Sequence, residues 1–247
     1  MHYNMSDETL KISVVTVCYN SAATLEKTIL SVLNQSYPHI EYIVIDGGST
    51  DGTVDIIKKY ADRLVHWVSE PDKGIYDAMN KGIAAATGSY INFMNSGDSF
   101  YDNRVVEAIF KDGCDSADII YGKTRKITHD LPRVQDCPPV EVLSEYLPFS
   151  HQASFSRLDL MREMRFDTKY RCAADYNFFY NVWRNNGSFR EVPHIIANYD
   201  ERGGFSISNK RLCMREYARI NGTVRNPLWY LRYCLICLKL WVNERKK

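Results

Sequence analysis

The first half of the chain alternates between short apolar runs and stretches in which apolar residues recur every three or four positions. The runs at residues 12–17, 41–46, 64–70 and 90–95 are short and rich in β-branched or aromatic residues, which is typical of buried strands. Segments with helical periodicity separate them. This order predicts a doubly wound α/β fold, in which right-handed crossovers connect the strands of a parallel sheet.

Three helices are predicted between these strands. Leu25, Ile29 and Val32 lie on one stripe of a helix expected at about residues 22–34. A second helix is expected near residues 54–60, after the turn sequence GGSTDGT. The third is clear in GIYDAMNKGIAAATG, where apolar residues recur at three and four.

The second half of the chain is less regular. Strands are predicted at residues 118–127 and 151–157, a short helix at 140–147, and a longer helix at 174–187 that Gly187 ends. No repeat, low-complexity tract or linker interrupts the sequence. The change of pattern near residue 115 therefore indicates a change of role within one fold.

The C-terminal segment NPLWYLRYCLICLKLWVNERKK is the most apolar part of the chain, and Pro227 can open a helix there. Arg232, Lys239 and Lys246 recur every seven residues and would form a basic stripe. Two charges inside the apolar run argue against a membrane span. A helix in the headgroup region fits better, with Trp229 and Trp241 at the interface. Packing on the domain or on a second subunit is the alternative.

Composition narrows the class of protein. Apolar residues make up 45% of the chain and charged residues 25%, which is ordinary for a folded domain, and a net charge of +1 does not indicate a nucleic-acid partner. The seven cysteines are scattered except for Cys234 and Cys237, whose apolar surroundings favour a structural role. Reduced cysteines and the lack of a signal peptide predict a cytoplasmic protein.

Acidic residues stand where the predicted strands end. Asp46 ends the second strand, Asp72 follows the third, Asp98 follows the fourth, and Asp77 lies in the first turn of the third helix. Ligands of an open parallel sheet bind beyond the carboxyl ends of its strands, so we expect these carboxylates to gather at one edge. They would repel one another unless a divalent cation lay among them. Helix capping and turn formation are the alternative roles.

The strand ends do not carry a phosphate-binding loop of a common type. No Walker sequence is present, and VCYNSAATL follows the first strand in place of G-x-G-x-x-G. The sequence therefore disfavours a P-loop or dinucleotide-binding protein. Gly97, directly before Asp98, would let the backbone approach a ligand closely.

Three stretches together carry a family resemblance: SVVTVCYNSAATLEKTILSVLNQSYPHIEYIVIDGGSTDGT, SEPDKGIYDAMNKGIAAATGSYINFMNSGD and CAADYNF. In this order they resemble the family 2 inverting glycosyltransferases of the GT-A fold, and among them the bacterial enzymes of colanic acid, capsule and O-antigen synthesis. The resemblance covers about residues 11–208. It implies a GT-A-type, Rossmann-like, doubly wound and mostly parallel sheet in a single domain with C-terminal helices.

The resemblance also implies how the chain is organised. Residues 1–10 would form an N-terminal extension, and residues 11–207 the glycosyltransferase domain. Within that domain, residues 11–115 would be the nucleotide-sugar half and residues 116–207 the acceptor half. Residues 208–247 would form a helical segment that associates with a membrane.

Roles for single residues follow from the same resemblance. Asp98 would hold Mn²⁺ or Mg²⁺ on the donor diphosphate, and Asp175 would be the catalytic base. The donor-binding residues would be Thr16, Tyr19, Asn20, Asp46, Ser49, Asp51, Asp77, Asn95, Gly97, His151 and Arg202. The family's metal motif is usually Asp-x-Asp or Asp-Asp, whereas this chain reads Asn-Ser-Gly-Asp and retains one carboxylate. Tight binding of a cation by the free protein is therefore not expected.

The implied function is transfer of a sugar, with inversion, from a UDP-, GDP- or dTDP-linked donor to a saccharide acceptor. The resemblance places the acceptor on a polyprenyl diphosphate at the inner face of the plasma membrane, and leaves a homodimer open. One alternative is a non-catalytic nucleotide-sugar-binding or scaffold protein of a polysaccharide assembly complex, which the single carboxylate keeps open. The other is a sugar nucleotidyltransferase, which would need a loop rich in glycine and basic residues after the first strand.

Overall fold

A computed structural model describes residues 10–111, 117–202 and 204–244, without the side chains of 206 and 239–244. The predicted extension at residues 1–10 therefore falls almost wholly outside the described residues, as do the boundary near 115 and Lys246. The first half of the chain contains the elements β1 (Ile12–Cys18), α1 (Leu25–Leu33), β2 (Ile40–Asp46), α2 (Thr53–Lys59), β3 (His66–Ser69), α3 (Ile75–Ala85), β4 (Tyr90–Phe93), β5 (Ser99–Phe100) and α4 (Val105–Phe110).

The second half adds four strands and five α-helices within the described residues. They are β6 (Ile119–Ile127), β7 (Arg133–Gln135), β8 (Ser154–Arg157), α5 (Leu158–Met164), α6 (Ala174–Arg184), β9 (Phe189–Asp200), α7 (Phe205–Ser208), α8 (Lys210–Ile220) and α9 (Pro227–Glu244). The predicted helix at 140–147 is a 3₁₀ turn at Val140–Ser144, and the predicted strand at 151–157 begins with a 3₁₀ turn at His151–Ala153.

All of these strands belong to one mixed sheet. Its order is β3-β2-β1-β4-β8-β6-β9-β5, and β7 pairs with β6 outside that path. Strands β3, β2, β1 and β4 run parallel to one another, and β6 and β9 form a second parallel pair. Strand β8 is antiparallel to both β4 and β6 and so joins the two halves. The predicted doubly wound α/β fold is confirmed.

Helices cover both faces of the sheet. On one face α1, α2 and α4 bury apolar side chains such as Ile29, Ile57 and Val106 in one cluster, in which α1 packs on β1 and α4 packs on β9. On the other, α3, α5 and α6 contribute Met79 and Phe178, among others, to a second cluster. Because the strands are covered on both sides, their apolar runs do not alternate with polar residues.

A buried carboxylate ties the sheet together at the edge opposite the strand carboxyl ends. Glu41, at the start of β2, accepts hydrogen bonds from Ser13 Oγ at 2.5 Å, Thr87 Oγ1 at 2.6 Å and the Gly88 amide at 2.9 Å. Burial raises the pKa of Glu41, but these donors outweigh burial and hold the pKa below its ordinary value. Glu41 therefore fastens β1 and the loop before β4 to β2.

Helix α8, in the C-terminal segment, packs on α6 in the second half of the fold. Tyr217 of α8 stacks on Tyr176 of α6 with ring centroids 4.1 Å apart. Helix α9 begins at Pro227, as the sequence predicts. Within the described residues, none of the helices combines the length and the hydropathy needed to cross a bilayer.

Candidate active site

The loop that follows β4 forms the floor of the site. Gly97 has φ of +102°, and a Cβ built on it would meet no atom within 4 Å, so the backbone conformation and not crowding favours glycine. Thr28 of α1 holds the loop from below, because its Oγ1 donates to the Asp98 carbonyl at 2.6 Å and accepts from the Gly97 amide at 3.1 Å. The loop is thus fixed before any ligand arrives.

Asp98 is a buried carboxylate held by groups from the other half of the chain. Its side chain accepts a hydrogen bond from Gln152 Nε2 at 2.8 Å and another from the Asp200 amide at 3.1 Å. Only 6% of its surface is exposed. Burial raises the pKa of Asp98 to about 6, although both hydrogen bonds act in the opposite direction. The carboxylate therefore gains from any cation that binds beside it.

Asn95 offers a second oxygen beside Asp98. Its side chain is 8% exposed, and its Nδ2 lies 3.0 Å from His151 Nε2. Its Oδ1 is buried and has no hydrogen-bond partner among the described residues, which is costly unless a ligand supplies one. Oxygen ligands of this kind suit Mg²⁺ or Mn²⁺.

The protein side chains alone do not complete a metal site. In the part of the chain that the structure describes, no three His, Cys, Asp or Glu side chains converge on one point. The donor set fits a cation that keeps several waters and takes its remaining ligands from a bound anion.

Asp175 lies in the first turn of α6 and is also buried. It accepts hydrogen bonds from the Tyr76 hydroxyl at 2.9 Å and the Tyr176 amide at 2.9 Å, and His151 Nδ1 lies 3.2 Å from its Oδ2. Burial raises the pKa of Asp175, but His151 and the other donors outweigh it and hold the pKa below its ordinary value. The carboxylate is ionised at neutral pH.

A glutamate on α8 holds the segment that leads into α6. Glu216 is buried, and its carboxylate accepts hydrogen bonds from the amides of Arg171, Cys172 and Ala173 at 2.8–3.0 Å. These amides precede the first turn of the helix that carries Asp175. An anion at this helix end is favourable, and Glu216 fixes the position of the turn.

Arg202 lies at the rim of the site, after β9. Its guanidinium donates to both oxygens of Asp200, at 2.9 and 2.6 Å, and its side chain remains half exposed. Asp200 is thus neutralised by an arginine, which also lowers its pKa. Contact of Arg202 with a phosphate stays a prediction.

Two residues predicted to line the nucleotide pocket are buried in the protein. Thr16 has no exposed surface, and its hydroxyl bonds the Met94 carbonyl at 2.7 Å and the Tyr42 hydroxyl at 2.8 Å. This departs from the expectation, because the Thr16 side chain points into the helix layer and not toward the strand end. Asp46 is also fully buried. Its carboxylate accepts from Ser69 Oγ at 2.6 Å, among other protein donors.

The Asp46 carboxylate therefore organises the loop after β2. It accepts from the amides of Gly48 and Ser49 at 3.1 and 2.9 Å, and from Ser49 Oγ at 2.5 Å. Ser49 Oγ in turn accepts from the Asn20 amide at 2.7 Å, and Asn20 Oδ1 accepts from the Thr50 amide at 3.0 Å. The loops after β1 and β2 are thus one hydrogen-bonded unit.

The remaining predicted donor residues border this unit. Tyr19 is 63% exposed at its surface. Asp51 accepts from the amides of Ala22 and Thr53, a capping arrangement. Asp77 accepts from the Lys73 amide at 3.0 Å and so caps the start of α3. Asp72 lies against Gly47, where a Cβ would come within 2.4 Å of Asp72 Oδ2.

A cavity of about 1430 Å³ opens above Asp98 and Asp175. Of the predicted residues it is lined by Asn95, Gly97, Asp98, His151, Asp175 and Arg202. The predicted residues that do not line it are Thr16, Tyr19, Asn20, Asp46, Ser49, Asp51 and Asp77. The cavity therefore lies mainly between the loop after β4 and the second half of the chain, and the loops after β1 and β2 border a separate part of the same sheet edge.

Sequence reasoning missed the residues that support this site. Tyr76, Gln152, Asp200 and Glu216 each contact a predicted site residue. Gln152 follows His151 directly, and Asp200 ends a strand, so both carried a local signal. Glu216 did not, because its partners lie more than 40 residues away on another element.

Comparisons with known proteins define the class. Residues 13–181 match the family model described as Glycosyl transferase family 2. The chain is also 30% identical over 203 residues to the PGL/p-HBAD biosynthesis glycosyltransferase of Mycobacterium bovis (strain BCG / Pasteur 1173P2), with 78% of each protein covered. The chain belongs to glycosyl transferase family 2. It is a glycosyltransferase.

Solved structures share the fold. TarS of S. aureus, crystallised with UDP-GlcNAc, superposes with a TM-score of 0.69 over 87% of this chain, at 19% identity. A mannosyltransferase of Pyrobaculum calidifontis, solved with GDP-Man and Mn²⁺, gives 0.67 over 89% at 17% identity. This chain spans 66% of the crystallised TarS chain, which comprises residues 1–349, and 66% of the mannosyltransferase chain. At these identities the likeness establishes the GT-A-like fold alone.

Proposed function

We propose that this glycosyltransferase moves a sugar from a nucleotide-diphosphate sugar to a saccharide acceptor and inverts the configuration at the anomeric carbon. The observation that carries the proposal is the placement of Asp98 and Asp175 in one cavity, linked through Asn95 and His151. The two carboxylates have opposite pKa shifts, raised for Asp98 and lowered for Asp175. Such a pair can divide the work between binding a cation and accepting a proton.

The donor would bind across the carboxyl ends of β1, β2 and β4. The exposed ring of Tyr19 and the loop built on Asp46, Ser49 and Asn20 would face its nucleoside. UDP-, GDP- and dTDP-sugars are the candidates, and the related folds solved with UDP-GlcNAc and GDP-Man support this class of donor. Asp51 and Asp77 would act by shaping these loops.

Asp98 and Asn95 would hold a divalent cation, Mn²⁺ or Mg²⁺, together with the donor diphosphate. When bound, the cation acts as a Lewis acid that stabilises the charge on the leaving diphosphate. Gln152 and the Asp200 amide keep the Asp98 carboxylate in place. Arg202 would reach the phosphates if it left Asp200.

Asp175 would serve as the general base. The acceptor hydroxyl oxygen attacks the anomeric carbon, the bond from that carbon to the diphosphate oxygen breaks with its electron pair, and the hydroxyl proton passes to Asp175. In-line displacement of this kind inverts the configuration. His151, whose Nδ1 faces Asp175 Oδ2, is a positioning residue that keeps the carboxylate ionised and oriented.

We further propose that the acceptor is a polyprenyl-diphosphate-linked saccharide and that the protein works in the cytoplasm at the inner face of the plasma membrane. The likeness to a mycobacterial glycosyltransferase of PGL/p-HBAD biosynthesis supports a role in bacterial glycoconjugate synthesis. Synthesis of capsule or O-antigen, which also needs transfer of sugars to such acceptors, is the pathway class that we propose. The open cavity beside Asp175 is wide enough for a saccharide.

Donor binding and catalysis can be tested separately. UDP-, GDP- and dTDP-sugars are screened by thermal shift with Mn²⁺ and with EDTA, and donor hydrolysis is measured for those that bind. Asp98→Ala should lose the Mn²⁺-dependent shift. Asp175→Asn should keep the shift and lower turnover about 10²- to 10⁴-fold. Asp55→Asn, an exposed aspartate on α2, is the control and should change neither.

The alternatives give other results. A scaffold protein would show the shift without any turnover in the wild type. A nucleotidyltransferase would release pyrophosphate from a nucleoside triphosphate and a sugar 1-phosphate. Full activity of Asp175→Asn would disprove the assignment of the base.

A further inference from the structure

The outward side of α9 carries a row of exposed leucines. Leu228, Leu231, Leu235 and Leu238 follow one another at spacings of three and four, and 57–72% of each is exposed. Tyr230 and Cys234 are exposed beside them. At 3.6 residues per turn these six side chains cover an arc of about 160°. We name them the leucine face.

Basic side chains border the leucine face. On α8, Arg211, Arg215 and Arg219 are exposed at intervals of four residues, and Arg211 shares a shallow groove with Cys234 and Leu238. Between residues 204 and 238 the chain has six Lys or Arg residues. The same range contains one acidic residue, Glu216 of α8, which is buried against the segment that leads into α6. Lys210 and Arg232 line the active-site cavity, so the exposed surface formed by α8 and residues 227–238 of α9 is apolar and carries the arginines of α8.

The opposite side of α9 belongs to the active-site cavity. Trp229, Tyr233 and Ile236 line that cavity, and the rings of Trp229 and Tyr233 stack with centroids 4.9 Å apart. The sequence-based expectation that Trp229 lies at an outer interface is therefore wrong for the described side chain. Leu228, at the start of α9, also borders the cavity, so the leucine face begins at the cavity rim and runs away from it along the helix.

We propose that the leucine face and the α8 arginines dock the protein onto a bilayer that contains anionic lipid. The leucines would enter the boundary between headgroups and acyl chains, and the arginines would meet the lipid phosphates. An acidic protein partner is less suited, because the apolar arc is wide and continuous. A helix with this pattern lies in the plane of the interface.

A second copy of this chain is a poorer occupant of the same surface. A coiled-coil seam needs two positions per heptad, which is narrower than this arc. In a two-fold contact each copy would also bring its own arginines toward those of the other, with no exposed acid in residues 204–238 to pair with them. Charge therefore favours a lipid surface over self-association.

Docking on a bilayer would explain how a lipid-linked acceptor reaches the site, and this part of the inference rests on the proposed function. A helix that borders both the bilayer and the cavity would place the cavity mouth at the membrane. A lipid-linked saccharide could then reach Asp175 while its lipid stays in the bilayer. The docking surface itself does not depend on the reaction and can be tested without it.

The test is flotation of the full chain with vesicles of phosphatidylcholine, with and without phosphatidylglycerol. The wild type should float with the anionic vesicles, and salt should weaken binding. The double variant Leu231→Gln, Leu235→Gln should reduce the partition coefficient by at least about 10-fold. Replacing Arg211 and Arg215 with glutamine should reduce the partition coefficient about fivefold per residue at low salt.

Matched controls come from other surfaces. Leu131→Gln removes an exposed leucine between β6 and β7, and Lys58→Gln removes an exposed cation on α2. Both should float as the wild type does. Donor thermal shift should be unchanged in all four variants, because none of these residues lines the cavity. This readout separates failure of docking from failure of the proposed function.

Three results would overturn the proposal. The first is no flotation of the wild type with anionic vesicles. The second is flotation that the leucine variant leaves unchanged. The third is a dimer in size-exclusion chromatography that the leucine variant converts to a monomer, which would make this face a subunit interface.

Discussion

His151 Nδ1 lies 3.2 Å from Asp175 Oδ2, and His151 Nε2 lies 3.0 Å from Asn95 Nδ2. One imidazole therefore spans the distance between the group proposed to accept a proton and the loop proposed to hold a cation. The ring can donate from Nδ1 to Asp175 while it accepts from the Asn95 amide. That arrangement turns Asn95 Oδ1 away from the histidine, and no described residue offers it a hydrogen bond.

Replacing His151 should damage turnover more than donor binding. In His151→Ala the Asp175 carboxylate loses one oriented donor, and we expect kcat to fall about 100-fold because the base is misplaced. The donor thermal shift should persist. Added imidazole should restore part of the rate, which a purely structural defect would not allow. His129→Gln, an exposed histidine after β6, is the control.

Asp98→Asn should stabilise the metal-free protein while it abolishes cation-dependent donor binding. The buried carboxylate, whose pKa is about 6, is ionised at neutral pH at a cost that asparagine does not bear. The asparagine oxygen can accept from the Asp200 amide, and the Gln152 amide can rotate to accept from its nitrogen. We expect a gain of about 1–3 kcal/mol in unfolding free energy with EDTA present, measured by urea denaturation. A loss of stability would contradict this account.

Glu216→Gln should weaken the protein and the site together. The glutamine nitrogen would face backbone amides that now donate to a carboxylate, so two donors would meet. We expect a loss of about 1–3 kcal/mol in unfolding free energy and a lower kcat with the donor KM unchanged. Glu163→Gln, exposed on α5, should change neither quantity. Retention of wild-type kcat would limit Glu216 to stability.

Glu41 should make stability depend on pH at a place remote from the site. Its hydrogen bonds hold its folded-state pKa below the ordinary value of 4.5, so its contribution is complete above that value. The contribution is lost as the pH falls through the lower, folded-state pKa. The melting temperature of Glu41→Gln should therefore fall less than that of the wild type as the pH drops below about 4.5. Parallel pH profiles for the two proteins would contradict the expectation.

The sequence predicted the parallel half of the fold well because its signals are local. Strand β1 and helix α3 follow from apolar runs and from recurrence at three and four, and α9 follows from Pro227. Strands β5 and β7 were not predicted. They have two and three residues, and pairing with distant strands defines them more than any pattern of their own.

The site was predicted in part, for a related reason. The carboxylates Asp98 and Asp175 follow from strand ends and from the family resemblance, and both line the cavity. Thr16 was misjudged because a strand that is apolar on both faces gives no sign of which way a polar side chain points. Asp46 was expected to face a ligand, yet neighbouring hydroxyl and amide donors surround it. Whether protein donors take up all the hydrogen-bonding positions of a carboxylate depends on the geometry of the loop, which cannot be read from residue spacing.

Strand β8, lodged between β4 and β6, makes the two halves of the chain inseparable. The donors that hold Asp98 come from residues 54 and 102 positions later in the chain. A truncated product that stops before Gln152 and β8 would carry the aspartate without the two donors to its carboxylate, and the edge of β4 would be unpaired. The nascent protein therefore acquires catalytic competence only when its last strands have docked, and separately expressed halves would have to reassemble to regain it.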